Sequence, residues 1–166
     1  DATKAVVSSF LDPRIKYINT GKRLAMSSNW EFAINQVQSD YVMFLGDDDA
    51  ILPGAVSELM RLVDENDQVS AVSWPSVEYG WPNCTKNDLR DIAIIPLTRG
   101  LEHRSARGVL SDVVSFSRPY SELPFIYKRL IRMDAVRALR EASGGAIFHS
   151  RIPDVYFGIA ICAVID

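Results

Sequence analysis

The stretch YVMFLGDDDAILPGAV, residues 41–56, decides how this chain is read. Tyr41 to Leu45 is an unbroken apolar run, the pattern of a strand covered on both faces. Gly46 ends it, and Asp47, Asp48 and Asp49 then place three carboxylates where the strand emerges. In open α/β sheets that edge is where ligands bind. Pro53 is set to open a helix with Val56, Leu59, Met60 and Val63 on its apolar face, and Val69 to Trp74 returns as a strand.

Three adjacent carboxylates repel by roughly 1 kcal/mol per pair in water and about 4 at an effective dielectric of 20. A bound cation offsets that repulsion. Mg²⁺ and Mn²⁺ take carboxylate oxygens together with water and substrate phosphates, so a short Asp-X-Asp pair suits them. On an extended backbone Asp47 and Asp49 point one way and Asp48 the other. The plain alternative is a solvated acidic turn that caps the next helix. A calcium loop is excluded, because Leu52 stands at the required glycine and Ile51 at a ligand position. A phosphohydrolase reading takes Asp47 as nucleophile and Asp49 as acid/base and resembles the haloacid-dehalogenase motif. Ile51 replaces the Thr or Val expected there, and no later acidic pair follows.

Outward from this stretch, helices and strands alternate. Val6, Val7, Phe10 and Leu11 share a helical face, and Arg14 to Ile18 alternates as a short strand. Ser28 and Glu31 form a capping-box pair ahead of Trp30, Ala33, Ile34 and Val37, which predicts a helix ending near Gln38. Residues 79–123 lose periodicity and carry Arg99, Arg104, Arg107 and Arg118 among glycines and prolines, so a loop with one short helix near Val109 to Val114 is expected, either a lid or a connector. Phe125 to Ile131 reads as a strand, Asp134 as the cap of a helix that Gly144-Gly145 ends, and Asp154 as the start of a last apolar helix. The order αβαβαβ predicts an α/β fold of three layers, α/β/α, around a mostly parallel sheet.

Length and composition fit one domain: 166 residues, 48% hydrophobic. With 18 Lys+Arg against 21 Asp+Glu the net charge is −3, so no general field gathers nucleic acid, and a phosphate-bearing ligand needs a local cationic device. Cys84 and Cys162 are too far apart in sequence to suggest a framework, and Cys162 reads as a small buried hydrophobe. The run VYFGIAICAVI falls short of the roughly 20 residues of a membrane span. These features point to a cytoplasmic protein, acting at a membrane face through other regions.

The order of capped helix with Asn29, the YVMFLGDDDAILPGAV stretch, helix, strand and a distant IPDVY resembles the family-two inverting glycosyltransferases of GT-A fold. The resemblance covers Asp1 to about Trp74 and returns from Pro124 to Val164. It implies a donor and metal part over 1–78, a variable segment over 79–123 and an acceptor and base part over 124–166. It implies a nucleoside-diphosphate sugar as donor, a UDP-sugar first, and a saccharide or lipid-linked saccharide as acceptor. Mn²⁺ or Mg²⁺ is implied at Asp49, with Asp47 shared between metal and donor and Asp48 on the donor. The family's two opening base-binding strands have no counterpart here, so the chain is expected to begin inside the fold and, alone, to be inactive, with a non-catalytic degenerate transferase or interaction domain as the alternative reading.

Inverting transfer needs a base within reach of the acceptor hydroxyl. The resemblance gives Asp154 that role; an ordinary helix cap is the other reading. The helix dipole favours its ionised form. Arg23 and Asn29 are donor-side candidates, or solvated groups. Trp74, Tyr156 and His149 are acceptor-side candidates, Trp74 through ring stacking and His149 through its place five residues before Asp154; core and surface roles are their alternatives.

Overall fold

The computed structural model describes residues 2–98 and 100–165. Six α-helices and five short strands follow in the order α1 (Ala2–Ser8), α2 (Met26–Ile34), β1 (Tyr41–Val42), α3 (Ala55–Glu65), β2 (Ala71–Val72), β3 (Glu78–Tyr79), β4 (Ala93–Ile94), α4 (Ala106–Val114), β5 (Leu130–Arg132), α5 (Met133–Ala142) and α6 (Pro153–Ile161). The chain is mixed α/β.

The ladders correct the expectation of a mostly parallel sheet. The main sheet has the order β1-β5-β2, and β5 runs antiparallel to both neighbours. β1 and β2, joined by α3, therefore run in the same direction, as their helical crossover requires, but they do not touch. β5, from much later in the chain, lies between them. Among the described residues the single parallel contact is the bridge from Phe44 to Tyr127, where Phe44 N–H donates to the Ile126 carbonyl at 2.9 Å and Lys128 N–H to the Phe44 carbonyl at 2.8 Å. Lys128 takes a left-handed φ of 59° there, which turns the chain from this bridge into β5.

The core is built by β1, β5 and four helices: Ile34 of α2, Val42, Ile131, Val109 of α4, Val136 and Leu139 of α5, and Phe157 and Ile161 of α6. Gly158 is required in α6, since a Cβ there would run into the Phe125 ring. Cys162 is fully buried and donates to the Gly158 carbonyl at 3.1 Å, and burial pushes its thiol up to about 11, as expected of a small hydrophobe.

Local expectations differ from the structure at several points: Arg132 and not Asp134 is the N-cap residue of α5, α3 starts after Gly54 rather than at Pro53, and the strand expected over Phe125 to Ile131 is confined to β5. Arg14 to Ile18 forms no strand, and Ile15 and Ile18 stay exposed. The Ser28–Glu31 capping box is not made: α2 starts two residues earlier, without a side-chain cap. Glu31 instead takes Arg140 Nη1 at 2.6 Å and the Ile147 N–H at 3.0 Å, tying α2 to the end of α5. In the segment from 79 to 123 the expected short helix is present as α4, which Ser105 caps through Gly108 N–H, but the β3–β4 hairpin stands where loop was expected.

Candidate active site

The acidic stretch leaves the end of β1 as expected, and the three carboxylates part company there. Asp47 and Asp48 are exposed, with no hydrogen bond or ion pair among the described residues. Asp49 turns inward and is held from three sides. Its Oδ2 accepts from the Tyr127 hydroxyl and from Gly46 N–H at 3.1 Å, and its Oδ1 meets Lys128 Nζ at 2.7 Å. Burial pushes this carboxyl up, but Lys128, Tyr127 and the Gly46 amide together outweigh it and hold Asp49 below the usual carboxylate range. Tyr127 responds in the opposite sense: burial and the adjacent Asp49 push its hydroxyl up to about 12. Gly46 makes the meeting possible, because a Cβ at this position would collide with the Tyr127 hydroxyl and crowd both neighbouring carboxylates.

Tyr127 also begins an aromatic bridge across the molecule. Its ring stacks on Trp30 of α2 at 6.1 Å, Trp30 meets Phe148 edge-on at 5.6 Å, and Phe148 packs against Phe157 of α6 at 5.9 Å. One helical turn before Phe157 stands Asp154. Its helix has Pro153 at the first position and Ile152 as the N-cap residue without a side-chain bond. Asp154 is half-buried, and among the described residues its carboxylate makes no hydrogen bond or ion pair. Here the cap that sequence allowed is not formed.

His149 and Tyr156 come together beside this helix start, their rings 5.6 Å apart, and His149 Nε2 contacts the Ala146 carbonyl at 2.8 Å. Ser27 Oγ donates to the Ser150 carbonyl and ties the start of α2 to the same corner. Asn29, one turn inside α2, is exposed, as is Arg23. Trp74 lies elsewhere, at the end of β2, with the Arg129 guanidinium over its ring at 5.8 Å.

The fold thus gathers Asp47 to Asp49, Tyr127, Lys128, Arg129 and Trp74 at one sheet edge, where β1 and β2 end and β5 begins. A second corner holds Asp154, His149 and Tyr156. Sequence reading missed Tyr127, Lys128 and Arg129. Two surface cavities, of 470 and 400 Å³, lie away from both groups, against Phe116 and Tyr120 and against Asp64 and Arg137.

Residues 1–127 match the description Glycosyl transferase family 2. The chain belongs to this family. The match runs through 79–123, which the resemblance had left aside, and ends before Lys128, so Asp154 lies outside it. Within the family, the chain is 38% identical over 68 residues to the GalNAc(5)-diNAcBac-PP-undecaprenol beta-1,3-glucosyltransferase of Campylobacter jejuni. That stretch is 39% of this chain and 22% of the relative, so the chain spans well under half of the protein it matches. No solved structure matches it.

Proposed function

We propose that this family-2 chain belongs to an enzyme of GT-A architecture that moves a sugar from a nucleoside-diphosphate donor to an acceptor hydroxyl with inversion. The observation that carries the reading is the unpartnered Asp154 carboxylate at the head of α6, in a chain whose acidic motif is anchored by Tyr127, the first ring of the series that leads to that helix. A carboxylate spared from capping keeps its oxygens for an acceptor hydroxyl and takes the proton as that oxygen attacks the anomeric carbon.

At the other corner, Tyr127 and Gly46 fix Asp49 while Asp47 and Asp48 face solvent toward donor ribose and diphosphate. These residues suit Mn²⁺ or Mg²⁺ of the open kind, one or two carboxylates completed by water and phosphate. The Asp49 oxygen already accepts a cation, the Lys128 ammonium, and among the described residues no three acidic, His or Cys side chains form a closed cage. When bound, such an ion neutralises the charge developing on the departing diphosphate. Asp49 and Asp47 would hold it.

His149 and Tyr156 flank Asp154 and are assigned to the acceptor, with Asn29 and Arg23 toward the donor. The relative's name carries a PP-undecaprenol saccharide, which favours a lipid-linked saccharide as acceptor here. None of the described helices is long and apolar enough to cross a membrane. Such an acceptor places the action at a membrane face, and the cytoplasmic side is the one proposed.

Asp154→Asn tests the reading. Turnover should fall by roughly 10²–10⁴-fold while donor binding is kept. Full turnover would remove the base assignment.

A further inference from the structure

Four arginines among the described residues have intermediate exposure, and three of them are matched with acids. Arg118 contacts Asp112 and Glu122, Arg132 contacts Asp134, and Arg140 contacts Glu31. Arg129 is the exception. Its Nη1 donates to the Lys128 carbonyl at 2.8 Å, its Nε is buried and donates to nothing, and no carboxylate of the described residues pairs with it. Burial alone lowers its pKa.

A guanidinium withdrawn from water without an anion is destabilising, and the Trp74 ring beneath it returns only part of that loss. The same stacking fixes the plane of the fork. A rigid fork with free donors is the device that matches phosphate oxygens. Its place agrees: the preceding residue, Lys128, already touches Asp49, and Trp74 closes the end of β2 at the same sheet edge. Around three aspartates in a chain of net charge −3, a diphosphate needs such a local cation.

We propose that Arg129, backed by Trp74, is the diphosphate-recognition residue of this edge. Trp74 is then a platform for the guanidinium and not an acceptor-sugar stack. The inference rests on the sugar-transfer reading only for the source of the diphosphate, which is either the donor or a pyrophosphate-linked acceptor.

The test is calorimetric titration of the full-length protein with inorganic pyrophosphate, alongside Arg129→Met and Arg129→Lys. Both substitutions should weaken binding by roughly ten- to hundredfold. The melting temperature of Arg129→Met should stay level or rise, since a structural arginine would lower it. Competition between pyrophosphate and UDP assigns the donor as source; pyrophosphate bound beside saturating UDP assigns the acceptor. Equal pyrophosphate binding by wild type and Arg129→Met overturns the inference, and leaves the sugar-transfer reading intact if UDP still binds with Mn²⁺. Arg129-dependent pyrophosphate binding without any nucleotide binding sustains the inference and removes that reading.

Discussion

Asp49 pairs with the ammonium of Lys128 at 2.7 Å, and in the proposed function a divalent ion brought with the donor would compete for the same carboxylate. Removing the ammonium leaves the carboxylate open to metal. Lys128→Met should therefore tighten Mn²⁺ binding by roughly two- to fivefold, the size of a partly exposed ion pair, as read by electron paramagnetic resonance of free Mn²⁺. Unchanged or weaker binding would mean that the metal does not use Asp49. The Tyr127 hydroxyl donates to the same carboxylate from a stacked ring. Tyr127→Phe should lose about 1.5–3 kcal/mol in urea denaturation, the range for a hydrogen bond to a charged group. At this scale the sequence spoke through Asp47 to Asp49 and Asp154, whose neighbours in the chain reveal their setting. It was silent on Tyr127 and Lys128, which reach Asp49 from far along the chain, Tyr127 across 78 residues, and on Arg129, which meets Trp74; none of them carries a local pattern.

Among the elements, what was legible depended on whether a residue's partner was near in sequence. The apolar run before Gly46, the crossover through α3 and the stop at Gly144-Gly145, with φ of 75° and 103°, follow from local chemistry and are present. The capping box failed because Glu31 has better partners in Arg140 and the Ile147 amide, more than 100 residues away. The parallel sheet failed for the same reason, with β5 arriving between β1 and β2 from the far end of the chain. Glu31→Ala should thus destabilise by about 1–3 kcal/mol by leaving the Ile147 N–H unpaired and Arg140 with the Gly145 carbonyl but no carboxylate, beyond the loss of a surface residue. A change under about 0.5 kcal/mol in chemical denaturation would show that the tie between α2 and α5 contributes nothing.

For the whole molecule, acid stability is set in part by the segment over which sequence pattern faded. Arg118, and then Arg104, hold Glu122 below its ordinary 4.5 against the opposing pull of burial. A carboxylate with a lowered folded pKa stabilises fully above its unfolded value and loses that contribution as pH falls through the folded one. The wild type should then lose melting temperature below about pH 4.5, and Glu122→Gln should flatten that limb while lowering the plateau at neutral pH. Parallel acid limbs in the two proteins would contradict the assignment.

The two corners are joined by the Tyr127, Trp30 and Phe148 rings, and the proposed function has one ligand bring a diphosphate to Asp49 and the other a hydroxyl to Asp154. The most direct test of that claim is calorimetric binding of nucleoside diphosphates to the full-length protein with and without Mn²⁺, repeated with Asp49→Ala. The account predicts metal-dependent binding that the substitution abolishes while Asp154→Asn retains it. Binding that ignores both the metal and Asp49, or no binding by a well-folded protein, would contradict it.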